Sequence, residues 1–165
     1  MVLELCGGTG RLSQGLTSRY VLAVPIDRPG GVFVAEAPRL YMDLATEDAQ
    51  EYLRDLFLTG RVHHIHMSAP GTSLDRHRGR LRGKGRPGPR QLRDAHHLLG
   101  LPGQDEEHPE GLTPDEMRKV ANDNRVIYLY KWFIEECRRA KAEEALFPGG
   151  CVPTWPPEAR ADSWL

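Results

Sequence analysis

The sequence predicts an α/β domain, and three observations lead to that class. The run Val2-Leu3-Glu4-Leu5-Cys6 is short, apolar and of strand type, and Gly7, Gly8 and Gly10 follow it at once. Leu12 and Leu16 then fall at i and i+4, as on one face of a helix. Further strand-type runs alternate with helical stretches along the chain, which is the pattern of α/β architecture. Strand, glycine turn and helix make an opening βα unit of the nucleotide-binding kind. The glycines let the backbone turn sharply and approach a ligand that a Cβ would push away. The helix N-terminus then turns its free N–H groups toward that ligand.

The opening motif narrows the ligand. A dinucleotide fingerprint needs G-x-G-x-x-G, but the position after Gly8-x-Gly10 that should be glycine is Ser13. Glu4, four residues before Gly8, is also foreign to that fingerprint. Glu-x-x-x-Gly-x-Gly resembles the first motif of class I S-adenosylmethionine (AdoMet) methyltransferases. The stretch Leu5-Cys6-Gly7-Gly8-Thr9-Gly10-Arg11-Leu12-Ser13-Gln14-Gly15-Leu16 resembles the opening of DNA cytosine-5 methyltransferases, with two departures. Cys6 stands where that family has Phe, and Arg11 where it usually has Gly. The resemblance implies a Rossmann-like class I methyltransferase fold, with an incomplete sheet in a chain this short. It implies S-adenosyl-L-methionine as cofactor, held by Glu4, Gly8, Thr9, Gly10 and Leu12. An acid beside the loop suits a sulfonium better than a pyrophosphate.

With 165 residues, one domain spanning 1–165 is expected. That is too short for a separate target-recognition domain, and the abrupt start on a strand suggests a fragment or truncated product. The net charge of −1 singles out no partner. Cys6, Cys137 and Cys151 are odd in number and widely spaced, which fits neither a disulfide framework nor a zinc pattern. A reduced, soluble, intracellular protein is expected. No apolar run reaches the length of a membrane span.

The second strand is expected over Tyr20 to Asp27, with Pro25 near its end because proline donates no ladder hydrogen bond. Asp27 closes it, where an acid accepts from ribose hydroxyls in the nucleotide-binding layout, although an acid there also starts an ordinary turn. A short third strand fits Leu40 to Leu44, and the resemblance places Asp43 against the adenine amino group. Thr46 is the N-cap of a helix reaching about Leu58, with Ala49, Leu53, Leu56 and Phe57 as its buried stripe and Gly60 as its stop. Residues 61–67 form the fourth strand, expected at the centre of the sheet. Its alternation puts His64 and His66 on one face and His63 on the other. No carboxylate or cysteine pair accompanies them, so no metal site is assigned.

Ser68-Ala69-Pro70-Gly71-Thr72-Ser73-Leu74 follows that strand, where substrate groups gather. In cytosine-5 methyltransferases this is the Pro-Pro-Cys loop. A related family carries A-P-P-C-G-T-x-S-x-A-R, and alignment through Gly71-Thr72 puts Pro70 at the nucleophile. In amino-methyltransferases the loop reads Asp/Asn/Ser-Pro-Pro-aromatic, of which Ser68 and Pro70 remain. Neither pattern is intact, so Ser68, Pro70 and Thr72 mark the loop without defining a catalyst. Glu158 is the counterpart of the ring-protonating Glu, in a segment lacking its Asn and Pro.

Residues 75–93 form a basic stretch expected as a flexible loop, neither helix nor strand. Arg76, Arg78, Arg80, Arg82 and Lys84 are placed to grip nucleic-acid phosphates, or else to stay solvated. Thr113-Pro114-Asp115-Glu116 begins a long helix with Thr at N-cap, Pro at N1 and Glu at N3. That helix is expected to reach Leu146, with Val120, Val126, Ile127, Tyr130, Phe133, Ile134 and Cys137 on its core face. The resemblance gives three readings: an AdoMet-dependent methyltransferase related to the cytosine-5 family, a non-catalytic nucleic-acid or nucleotide-binding remnant, or an amino-methyltransferase.

Overall fold

The computed structural model describes residues 1–30, 34–70, 73–74, 81–82, 86–87 and 89–142. Four strands form one all-parallel sheet: β1 (Val2–Leu5), β2 (Ala23–Asp27), β3 (Leu40–Tyr41) and β4 (His64–Met67), in the order β3-β2-β1-β4. Among the described residues three helices accompany them: α1 (Arg11–Thr17), α2 (Glu47–Leu58) and α3 (Pro114–Ala142). The chain leaves β1 toward β2 on one side and returns to β4 on the other. That reversal puts the topological switch point at the carboxyl ends of β1 and β4, the position where ligands of open α/β sheets bind. The arrangement is compatible with a Rossmann-like fold.

Register divides the sheet into two faces. Leu3 lies level with Val24 and Ile65, and Leu5 with Ile26 and Met67, so these six side chains share one face. They join Leu53 and Phe57 of α2 with Val126, Leu129, Tyr130 and Phe133 of α3 in the main core. Phe57, Trp132 and Phe133 meet edge-on, with centroids 5.2–5.8 Å apart. The opposite face carries Glu4, level with Pro25 and His66, and receives α1 through Ser13. His64 and His66 therefore do share a face, both half-buried, while Ile65 and Met67 are buried.

Two strand expectations change. Pro25 lies in the middle of β2 rather than at its end. Leu22 O accepts from Val2 on the β1 side and Asp27 O accepts from Met42 on the β3 side. Odd-numbered residues of β2 thus turn their peptide groups toward β3, which pairs only from Ile26 onward. The missing N–H of Pro25 points where no strand needs it. Second, β4 is an outer strand among the described residues, with β1 and β2 inside.

The helices follow their signals. Thr113 and Glu116 close the capping box, with Thr113 N donating to Glu116 Oε2 at 3.0 Å and Glu116 N to Thr113 Oγ1 at 3.4 Å. Leu129 is a core residue of α3 outside the expected stripe, and Asp123 is buried among the apolar positions. Thr46 is the N-cap of α2 by position, but its hydroxyl donates back to Asp43 O at 2.8 Å. Gly60 stops the helix at φ 71°. In α1 the buried residue is Ser13, while Leu12 is 36% exposed. The expected C-terminal end of α3 at Leu146 and the segment around Glu158 lie outside the described residues.

A second small core holds Leu92, Leu112 and Val120, with Leu101 against them. Gly111 is required in it, because a Cβ there would come within 2.3 Å of the Gly103 carbonyl oxygen. The basic stretch, expected to hold no strand, contains two: β5 (Leu81–Arg82) and β6 (Arg86–Pro87) form an antiparallel ladder. Among the described residues no helix is long and apolar enough to cross a membrane.

Candidate functional site at the carboxyl edge of the sheet

The glycine loop is a tight turn fastened from behind. Gly10 N donates to Gly7 O at 2.9 Å, and Gly7 N to Ile26 O at 3.3 Å. Gly8 and Gly10 take positive φ of 56° and 76°. A Cβ on Gly10 would stand 3.3 Å from Pro25 Cγ and 3.6 Å from Ala37 Cβ, so the turn needs glycine for both conformation and room. Glu4, 5% exposed, explains how α1 is held. Its Oε2 accepts from Ser13 N at 2.9 Å and from Ser13 Oγ at 2.6 Å. The buried carboxylate thereby takes one of the free amides of the first helical turn.

Asp27 joins the second strand to the loop. Gly8 N donates to its Oδ2 at 2.9 Å and Arg28 N to its Oδ1 at 2.8 Å. Arg39 Nη1 lies 3.8 Å from Oδ2, an ion pair beyond hydrogen-bond length. Residues 34–39 lie over the loop: Glu36 N donates to Thr9 O at 2.8 Å, and Arg11 pairs with Glu36 at 2.9 Å. Asp43 is exposed just past β3. Its Oδ1 accepts from Ala45 N at 3.0 Å, a turn leading into α2.

At the switch point, Tyr130 of α3 ties the ends of β1 and β4 together. Its hydroxyl is 2.9 Å from Ser68 O and 3.2 Å from Cys6 Sγ. Burial pushes the Cys6 thiol up to about 11; the Tyr130 hydrogen bond opposes this, while Asp27 and Asp123 add to it. At neutral pH it is a thiol, not a nucleophilic thiolate. Burial also raises the Tyr130 hydroxyl, with Cys6 adding to the rise.

The loop after β4 is anchored at Ser73 by a buried network that sequence reasoning missed. Ser73 N and Oγ both donate to Asp123 Oδ2, at 2.5 and 2.6 Å. Arg93 Nε and Nη2 donate to Ser73 Oγ at 3.0 and 2.9 Å. The hydroxyl gives one proton and accepts two, so its capacity is full. Arg93 also donates to the carbonyls of Leu98 and Val120. Burial raises the Asp123 carboxyl above its ordinary value, against the Ser73 hydrogen bonds and the charges of Arg93 and Arg28. The available signal was weak: a lone acid, Asp123, among apolar helix positions.

The structure thus gathers Glu4, Gly8, Thr9, Gly10, Asp27 and Ser68 at one edge of the sheet, with Asp43 beyond β3 and Leu12 on the outer side of α1. Pro70 is buried after β4. Thr72, Arg76, Arg78, Arg80, Lys84 and Glu158 lie outside the described residues, and Arg82 is described only as part of β5. Two cations of the basic stretch serve the fold: Arg93 in the network above, and Arg90, which pairs with Glu116 at 3.2 Å and donates to the carbonyls of Glu110 and Gly111.

The fold and site define an α/β domain with a parallel sheet and a glycine loop joined to a strand-end acid. No protein-family model matches the chain, and no curated protein or solved structure matches it.

Proposed function

We propose that this chain is an AdoMet-binding, methyltransferase-like domain that binds or acts on nucleic acid. The observation that carries the reading is the hydrogen bond from Gly8 N to Asp27 Oδ2. It brings the glycine loop and Asp27 side by side at the carboxyl edge of a parallel sheet, which supports a nucleoside reaching both. The nucleic-acid half of the reading rests on the cations Arg76, Arg78, Arg80, Arg82 and Lys84 of the basic stretch.

Binding without cytosine methylation is the form of this function that the site chemistry supports. Cytosine C5 attacks a methyl group only after a thiolate adds at C6. Pro70 supplies no thiol, Cys6 is protonated and bonded to Tyr130, and the Ser73 hydroxyl is saturated. The test is photocrosslinking of methyl-labelled AdoMet, competed by its demethylated product, with a transfer assay on mixed DNA and RNA in the same preparation. Crosslinking without transfer is the expected result. Absence of crosslinking would overturn the cofactor reading, and label in cytosine would overturn the non-catalytic one.

A further inference from the structure

Arg39 is an unusual cation at this edge. Its side chain is only 3% exposed, yet among the described residues Nε and Nη2 have no hydrogen-bond partner. Buried polar groups are nearly always satisfied, and an exception points to a missing acceptor. Asp27 does not fill that role. Its nearest guanidinium nitrogen is Nη1, at 3.8 Å, on the other side of the fork from the Nε–Nη2 edge, while each carboxylate oxygen takes one main-chain N–H and keeps a lone pair for a ligand hydroxyl. The guanidinium carbon lies 5.9 Å from the Tyr41 ring centroid, within cation–π range, so the ring helps to hold the cation beside Asp27. The unpartnered Nε–Nη2 edge is a planar pair of parallel donors, the shape that matches two oxygens of one oxyanion.

We propose that Arg39 is the receptor for a phosphate monoester carried on the ribose of a bound nucleoside. The sugar would lie at Asp27, and the phosphate on its 2′ or 3′ oxygen would take the Nε–Nη2 edge. This ligand class is separate from AdoMet, whose ribose bears no phosphate. Entry requires residues 34–38 to part from the glycine loop. Residues 34–36 are exposed, and Glu36 is held there by one main-chain bond to Thr9 and an exposed pair with Arg11.

The experiment compares binding of adenosine and its 2′-, 3′- and 5′-monophosphates by calorimetry, with inorganic phosphate alone as a further arm. The 2′- or 3′-phosphate should bind at least tenfold more tightly than adenosine. The 5′-phosphate, at the other end of the sugar, should show no dependence on Arg39. Arg39→Lys keeps the charge but loses the planar fork, and should bring the favoured isomer to within about threefold of adenosine. The ranking of isomers on the unaltered chain stands even if a variant folds poorly. Equal binding of adenosine and all three monophosphates overturns the proposal, as does inorganic phosphate binding as tightly as the favoured isomer. AdoMet titrated in parallel keeps failure here distinct from failure of the cofactor reading.

Discussion

Replacing Asp123 by Ala removes the acceptor at the centre of the Ser73–Arg93 network. Two donors, Ser73 N and Oγ, lose their partner, and Arg93 keeps its charge in a site where it is 7% exposed. Hydrogen bonds to a charged group contribute about 1.5–3 kcal/mol each. The desolvation of the carboxylate offsets part of two such bonds, and Arg93, joined to the carboxylate through Ser73 Oγ, loses its compensating negative charge as well. We expect a loss of about 3–4 kcal/mol in urea unfolding. Asp123→Asn should cost less, because its side-chain oxygen still accepts from Ser73. The pH dependence has a definite sign. The folded carboxyl titrates above its unfolded value, so the folded state holds this proton more tightly. The stabilisation from that proton is complete below the unfolded pKa and is lost as pH rises through the folded one. The wild-type minus Asp123→Asn difference in stability should therefore grow as pH falls from neutral. A loss under 1 kcal/mol for Asp123→Ala, or a difference that shrinks on acidification, would refute the network as described.

Three further outcomes follow from the site. Gly10→Ala forces a Cβ toward Pro25 at a φ of 76°, so it should cost about 1–2 kcal/mol in thermal unfolding and weaken AdoMet binding more than stability; unchanged binding would separate the loop from the ligand. Cys6 should resist iodoacetamide at pH 8 in the folded protein and react readily in denaturant, followed by peptide mass mapping, because burial keeps it a thiol; fast native labelling would contradict the raised pKa. If the basic stretch grips phosphates, binding to labelled single-stranded DNA should fall steeply with salt, and replacing Arg78, Arg80 and Arg82 together by Ala should flatten the slope; equal retention at low and high salt would leave the stretch solvated.

What could be read from the sequence was what is encoded locally. The strand, glycine turn and helix at residues 2–17 involve neighbours only, and the Thr113–Glu116 box is complete within one turn. The centre of the site was partly legible, because Asp27 and the Gly8–Gly10 loop each carry a short-range signature. Their direct hydrogen bond depends on strand pairing. Pro25 was misplaced because its tolerance rests on where β3 begins to pair. The Ser73–Asp123 bond spans 50 residues and the Arg93–Ser73 bond 20, and no local pattern announces either. In sequence Arg93 is one more cation in a basic run that either grips phosphates or stays solvated, whereas its neighbour Leu92 draws that turn of chain into a small core. Arg39 carried no motif at all, since its meaning comes from burial and from donors left without acceptors.

The central claim is that Asp27 and the glycine loop bind the nucleoside of AdoMet. A calorimetric titration of the unaltered chain and of Asp27→Ala with AdoMet tests it most directly. Loss of hydrogen bonds to a charged acceptor predicts binding weakened by about 1–3 kcal/mol, or roughly 5- to 150-fold. Saturable heat from the unaltered protein, with that loss in the variant, is the result the account predicts. No heat at millimolar AdoMet, or equal affinity in both proteins, would contradict it.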